Sequence, residues 1–407
     1  MTLDEARALD LTDPLHEARE RFILPDGVIY LDGNSLGALP KATSPHLFDV
    51  VERQWGEDLI TSWNKHGWID WPQRIAAKLA PIVGARPSEL LIADSTSVCL
   101  FKLLASAIAA RPGRRTILTQ ECNFPTDLYV TQGLAEMLDL QVKAVAANGV
   151  ADAINEDVAV LTLTHVDYRT GAFHDMASIN ARAHNAEALT VWDLSHSAGA
   201  MRLELSGSGC DLAVGCGYKY LNGGPGAPAF VFVAERLQAQ LSPPLRGWMG
   251  HADPFAFDDD YCPAADIRRF LTGTPPILAL AALDCGLGTF HRFAIADIEA
   301  KSRRLTELFI DEVEARCRGE VQLVSPRDPS KRGSHVSFVH PQGYAIMQAL
   351  IARKIIGDFR SPDLMRFGFA PLYNRYEDAW RAADELARLL QTRDWNRPRF
   401  HERQRVT

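Results

Sequence analysis

The amino-acid sequence predicts an α/β protein: a large domain with a mostly parallel sheet of the seven-stranded type, covered by helices, and a smaller α+β domain. Three observations carry this expectation. Short β-rich runs alternate with helical stretches from about residue 90 to residue 290. Several of those runs lack polar alternation, as strands covered on both faces should. The pattern then changes after Thr289, and 407 residues leave room for more than one domain, at ~100–200 residues each.

The runs are Leu90-Leu91-Ile92-Ala93, Thr116-Ile117-Leu118, Val142-Lys143-Ala144-Val145, Val158-Ala159-Val160-Leu161-Thr162-Leu163, Thr190-Val191-Trp192, Leu212-Ala213-Val214 and Ala229-Phe230-Val231-Phe232-Val233. Helices are expected between them over residues 97–110, 126–138 and 177–185. Ser95, Thr96 and Ser97 offer caps to the first of these and Asp175 to the third. Residues 290–317 contain neither proline nor glycine and read as one long amphipathic helix bridging to the second domain. Beyond it, strands are expected at 321–324, 335–339 and 364–369, and helices at 344–353 and 377–390. The division is therefore 50–289 for the large domain, with 1–49 and 290–407 forming the small one. The turn-rich Asp32-Gly33-Asn34-Ser35-Leu36-Gly37 lies in the N-terminal piece. The basic tail 397–405 is expected to fray.

A net charge of -8 and a pI near 5.9 argue against a nucleic-acid partner. No apolar run approaches the ~18 residues of a membrane span. The start, Met1-Thr2-Leu3-Asp4-Glu5-Ala6-Arg7, lacks the basic-then-apolar layout of a secretory signal, so a cytoplasmic location is expected. Seven cysteines, an odd count without a C-x-x-C pair, read as reduced, buried, small hydrophobes. The histidines show no metal-binding spacing, and no metal is expected.

Chemistry concentrates around Lys219, in Gly215-Cys216-Gly217-Tyr218-Lys219-Tyr220-Leu221-Asn222-Gly223-Gly224-Pro225-Gly226. A lysine amid apolar and small residues must shift its pKa or find a partner. Forming a Schiff base with pyridoxal 5'-phosphate (PLP) is one reason for it to be there; a surface lysine in a glycine-rich turn is the plain alternative. PLP asks for a lysine, an acid at its ring nitrogen, an aromatic face and phosphate donors. Asp193, at the carboxyl end of the Thr190 run, fits the acid, although it could equally cap the following turn. Asp94-Ser95-Thr96-Ser97-Val98 opens a helix and offers hydroxyls and free N–H groups to a phosphate. Phe124 lies just beyond another strand and could cover a ring. The Gly223-Gly224-Pro225-Gly226 run lacks the G-K-[ST] ending of a nucleotide loop.

Taken together, Leu31-Asp32-Gly33-Asn34-Ser35-Leu36-Gly37, Asn123-Phe124-Pro125-Thr126-Asp127, Trp192-Asp193-Leu194-Ser195-His196-Ser197-Ala198-Gly199, Tyr218-Lys219-Tyr220-Leu221-Asn222, Gly247-Trp248-Met249-Gly250-His251 and Pro275-Pro276-Ile277-Leu278 resemble the kynureninase family, in the same order, from about residue 30 to 375. The resemblance implies fold type I of the PLP enzymes, in the class V aminotransferase-like branch, and a homodimer with shared active sites. It implies that Lys219 holds the cofactor, that Asp193 pairs with the ring nitrogen and that His196 stands beside Asp193. Thr96, Ser97 and Tyr218 would contact the phosphate and Phe124 would stack. Asp127, Thr164, Trp248 and Thr274 would line the pocket, the last two supplied by the partner subunit. Arg366 would grip the substrate's α-carboxylate, with Arg360 the nearby alternative. Ser35 and His66 are further candidates for substrate contact, His66 from its place in Trp63-Asn64-Lys65-His66-Gly67-Trp68.

The implied reaction is hydrolysis of the Cβ–Cγ bond of L-kynurenine to anthranilate and L-alanine. Lys219 would move the α-proton, and Tyr218 would serve as donor to the developing oxyanion. Thr274 stands where animal members carry asparagine, which implies a preference for the unhydroxylated substrate over 3-hydroxykynurenine. The rival readings are an aminotransferase, a cysteine desulfurase using Cys262, and a non-catalytic PLP-binding protein.

Overall fold

The structure, a computed structural model, describes residues 1–404. Its larger sheet contains β1 (Leu90–Ala93), β2 (Thr116–Gln120), β3 (Gln141–Val145), β4 (Val158–Thr164), β5 (Leu189–Asp193), β6 (Leu212–Cys216) and β7 (Ala229–Val233). Their spatial order is β1-β7-β6-β5-β4-β2-β3. Strand β7 runs antiparallel to both its neighbours, and the other pairs are parallel. The seven expected strands are thus all present in a mostly parallel sheet. β1, β4, β5, β6 and β7 are buried along their whole length, which is why they carry almost no polar alternation. Trp192, in the middle of this core, donates its indole N–H to Asn180 Oδ1 at 2.9 Å, so the polar end of the ring is satisfied.

Crossover helices cover the sheet. α1 (Trp71–Val83) carries Pro72 in its first turn and Pro81 near its end, and these prolines hide it from a periodicity reading. α2 (Thr96–Ala109) is capped by Ser95, whose side chain accepts from the Val98 N–H. α3 (Pro125–Leu138) begins directly after Phe124, with proline in its first turn. α4 (Met176–Asn185) is capped by Asp175, which accepts from the Ser178 N–H.

The bridging helix is one unbroken element ending at Cys317, as expected, but it starts at Ile295 rather than at residue 290. α5 (Ile277–Gly288) ends first, Arg292 takes a positive φ of 72°, and α6 (Ile295–Cys317) then begins. Composition alone gave no stop signal, because the break is made by Arg292 in the left-handed region rather than by glycine or proline.

The second sheet contains β8 (Gln322–Leu323), β9 (His335–Val339), β10 (Asp358–Arg360) and β11 (Leu364–Gly368), ordered β8-β9-β11-β10 with antiparallel pairing throughout. α7 (Gly343–Ile351) and α8 (Tyr376–Thr392) flank it with α6. Phe309 of α6 anchors the core here, its ring centroid 4.8 Å from Phe367, 5.3 Å from Phe369 and 6.1 Å from Phe338. The N-terminal segment serves both cores: Ala6 and Leu31 pack in this one, whereas Leu15, Ala18, Phe22 and Ala38 pack in the larger one. A buried Lys301–Asp13 ion pair of 2.6 Å ties the N-terminal segment to α6.

Two further expectations are corrected. The basic tail does not fray over its described part: a short helix, Pro398–His401, buries Phe400 in the second core, and Arg403 lies over the rings of Tyr344 and Phe359. Burying one aromatic outweighs the fraying that the surrounding charges suggest; Arg405 lies outside the described residues. The cysteines are free, but they are not uniformly buried, since Cys122 and Cys262 are exposed and Cys285 is half-buried.

Candidate active site

The site forms where open α/β sheets leave a crevice, at the carboxyl ends of β4, β5 and β6 and after β2. Asp193 is the last residue of β5 and lies directly beside Thr164, the last residue of β4. Its Oδ1 accepts the Ser195 N–H at 2.7 Å, which turns the chain toward His196. Asp127 arrives from the first turn of α3, and its Oδ2 accepts the Thr164 hydroxyl at 2.9 Å. Asn123 Oδ1 is a second acceptor for that hydroxyl and also receives the Phe124 N–H at 2.9 Å. The Asn123-Phe124-Pro125 motif therefore fixes the start of α3 and points Asp127 at Asp193.

Two buried carboxylates facing one another cannot both ionise at ordinary pH. Burial, reinforced by the charge of Asp193, pushes Asp127 well above the usual carboxylate range. The pocket thus has an anion, a carboxyl that keeps its proton, and an aromatic wall.

Lys219 follows β6 in a buried turn, 9% exposed. Its Nζ lies 3.0 Å from His196 Nε2, 5.7 Å from the centroid of Phe124 and 6.0 Å from that of Tyr218. Burial, then the Lys219 charge, holds His196 well below its ordinary pKa, so the neutral ring accepts from the lysine through Nε2. Its Nδ1 has no hydrogen-bond partner among the described residues. Gly37 explains the N-terminal motif: a Cβ there would sit 2.5 Å from the Lys219 carbonyl oxygen and from Asn222 Oδ1, so only glycine lets this loop close over the lysine turn.

Thr96 and Ser97 occupy the first turn of α2, half-buried and exposed respectively, with helix N–H groups opening toward solvent. That turn is anchored from below by the buried Lys102, whose Nζ binds Asp94, the Phe270 carbonyl at 2.6 Å and Thr272 Oγ1 at 2.9 Å. Burial raises the Tyr218 hydroxyl, keeping it protonated and able to donate.

Arg366 on β11 is 2% exposed and faces Asp358, its cross-strand partner on β10. Its Nε donates to Asp358 Oδ1 at 2.7 Å and its Nη2 to Oδ2. Nη1 donates to the Tyr168 carbonyl at 2.5 Å, and Nη2 reaches Ser35 Oγ at 3.3 Å. Ser35 therefore joins the arginine cluster, donating in turn to Asp358 Oδ2 at 2.9 Å. Tyr168 links this cluster to the Lys219 pocket, its ring set edge-on to Phe124 at 5.2 Å.

Three candidates stand apart. Trp248 is 37% exposed with its ring against Phe255, and Thr274 is exposed; neither bonds to the Lys219 group among the described residues. His66 is tied to Asp58 at 2.7 Å in the Trp63–Trp68 turn. Asn123, Tyr168, His335 and Asp358 also belong to this network, although the sequence does not single them out as site residues. His335 is wholly buried on β9 with its ring 5.3 Å from that of His196. No local signal marked it, whereas Asp358 stood two residues before Arg360 and could have been noticed as its counter-charge.

The pocket suits PLP on an observation independent of any resemblance: the buried Asp193 at the end of β5, the buried Lys219 amine and the Phe124 ring are the acid, amine and aromatic face the cofactor asks for, brought into one pocket. Lys219 would carry the aldehyde carbon, Phe124 would cover the ring, and the α2 N-terminus with Tyr218 would take the phosphate.

The architecture is shared by solved PLP-enzyme structures of low identity. A cysteine desulfurase from Thermococcus onnurineus NA1 superimposes with a TM-score of 0.79 at 20% identity, covering 92% of this chain and 98% of that one. The cysteine desulfurase CsdA from Escherichia coli gives a TM-score of 0.77 at 19% identity, covering 93% and 98%. The fold is that of the PLP-dependent enzymes of fold type I. The kynureninase C-terminal domain family matches residues 298–386. Kynureninases from Burkholderia mallei and Pseudomonas fluorescens are 48% and 47% identical to this chain, each covering the full length of both sequences. The chain belongs to the kynureninase family.

Proposed function

We propose that this protein is a PLP-dependent hydrolase that cleaves the Cβ–Cγ bond of L-kynurenine to give anthranilate and L-alanine. The observation that carries the reading is a buried lysine placed beside a paired-carboxylate pocket and a buried arginine cluster, in a chain 48% identical to kynureninases along its whole length. When bound, PLP supplies an electron sink for charge developing on an attached amino acid.

The chain's own groups then have distinct tasks. Asp193 holds a positive ring nitrogen in place, and protonated Asp127 keeps a second anion out of that pocket. Lys219 moves the proton between the substrate carbons, with neutral His196 accepting its hydrogen bond and orienting the amine. The arginine cluster holds the α-carboxylate and so fixes which substrate bond faces the lysine. The Tyr218 hydroxyl keeps its proton and donates it toward the oxygen that gains charge as water adds to the ketone. Burial around Lys219 excludes stray water from the amine.

The test is direct. PLP-loaded protein given L-kynurenine is expected to produce fluorescent anthranilate and an equal amount of L-alanine. Release of sulfide from cysteine, or of a keto acid, without anthranilate would overturn the reading in favour of a desulfurase or an aminotransferase.

The reading includes a homodimer in the cytoplasm. Seven free cysteines suit a reducing compartment. No helix among the described residues is long and apolar enough to cross a membrane. Phe48, Val51 and Trp55 follow at spacings of three and four along one helical stretch and are 67%, 36% and 57% exposed, with Leu59 and Ile60 beyond them at 60% and 76%. A second exposed aromatic group, Trp248, Phe255 and Phe257, lies on the 247–257 loop. Apolar surface of this kind is characteristic of an interface, and a second subunit would bring Trp248 and Thr274 to the neighbouring site. Trp55→Glu is expected to shift the dimer to monomer in sedimentation experiments and to remove activity with it; a variant that stays dimeric contradicts this assignment.

A further inference from the structure

The arginine cluster carries more than a single carboxylate-binding residue. Asp358 and Arg366 are direct cross-strand partners, and each side chain is 2% exposed. Asp358 takes the side of the guanidinium formed by Nε and Nη2. Among the described residues the other end, formed by Nη1 and Nη2, bonds to the Tyr168 carbonyl and, at the long distance of 3.3 Å, to the Ser35 oxygen. A guanidinium has five N–H donors in a rigid fork, so a carboxylate held on its side leaves the end free to meet another.

Arg360 Nη2 reaches the same Asp358 Oδ2 at 2.8 Å, and its side chain remains 38% exposed. One aspartate thus holds two guanidiniums that would otherwise repel. Although burial opposes it, pairing with Arg366 and then Arg360 keeps Asp358 below the usual carboxylate range. The other carboxyl facing this cluster, Asp32, is pushed by burial and by the Asp358 charge up to about 7. Two guanidiniums bonded to the same aspartate leave hydrogen-bond donors over for an incoming carboxylate.

We propose that Asp358 is the positioning residue of a two-arginine clamp for the substrate's α-carboxylate, anchoring Arg366 from the side and tethering Arg360, with the Ser35 hydroxyl displaced when the carboxylate arrives. This deepens the proposed function and rests on its amino-acid substrate.

The experiment compares L-kynurenine with its carboxamide on the PLP-loaded enzyme, and separately titrates L-alanine by the change in cofactor absorbance. Asp358→Asn keeps the shape but replaces one acceptor by a donor that opposes the guanidinium. It is expected to raise KM for L-kynurenine and the dissociation constant for L-alanine about tenfold, the loss of one charge-assisted hydrogen bond, with kcat changed much less. The carboxamide should barely notice the change. Should Asp358→Asn fail to fold, Arg360→Gln, at a half-exposed position, reads the same clamp and is expected to weaken the acid but not the amide. A KM for L-kynurenine that stays within about twofold, a KM that falls, or equal losses for acid and amide would overturn the proposal. If wild-type protein makes no anthranilate yet its absorbance titration separates acid from amide, the reaction assignment fails while the clamp stands.

Discussion

Lys219→Ala is expected to lower kcat/KM for L-kynurenine by at least about 10⁴-fold, the upper range for removing a positioned acid–base group. The lysine is 9% exposed and lies 3.0 Å from His196 Nε2, so no solvent amine occupies an equivalent place when its side chain is cut back. His196 cannot take over the role, because burial and its neighbour's charge hold its basicity well below that of an ordinary histidine. Loss of the lysine removes that charge, and the histidine is expected to recover part of its basicity without reaching the lysine's position. Two measurements check this. Turnover should vanish, and borohydride treatment should no longer fix the cofactor to the polypeptide. A variant retaining about one per cent of the activity, or one still labelled at another lysine, would remove the foundation of the proposed function.

Asp193→Asn is expected to reduce kcat by about 10³-fold, equivalent to about 4 kcal/mol, the scale of leaving one member of a buried charge pair alone. Asparagine keeps the shape and can still accept the Ser195 N–H, so the turn to His196 should survive and the fold with it. What disappears is the negative charge at the end of β5. Asp127 then no longer faces an anion, and its pKa should fall back toward the usual range, although burial continues to raise it. The pH profile of the variant should therefore shift, with Asp127 losing its proton at lower pH than in the wild type. Asp127→Asn offers the contrast: because that carboxyl already holds a proton, its replacement is expected to cost markedly less than the loss of Asp193. Equal losses in the two variants would mean that the pair shares its charge differently from the assignment made here.

Much of the scaffold was legible from the chain, for a specific reason. Strands β1 and β4 to β7 are buried on both faces, and a strand in that position must be apolar throughout, so its sequence announces it. Lys219 and Asp193 were legible for the opposite reason: charged residues in such surroundings conflict with burial and call for a chemical purpose. The left-handed turn at Arg292 was not legible because no glycine or proline marks it, and the docking of Phe400 was not because packing against residues distant in sequence settles it.

The sequence by itself determined the strands of the larger sheet and singled out Lys219 and Asp193 as candidates for the chemistry. Only the tertiary structure decided that Asp127 meets Asp193 through Thr164, that Arg366 is held by Asp358, and that Trp248 and Thr274 are exposed without a bond to the Lys219 group among the described residues. Hydrophobic pattern records whether a residue is buried; it does not record which residue it is buried against. The contact between Ser35 and Arg366 spans 331 positions, and no local rule connects two points so far apart until the sheets bring them together.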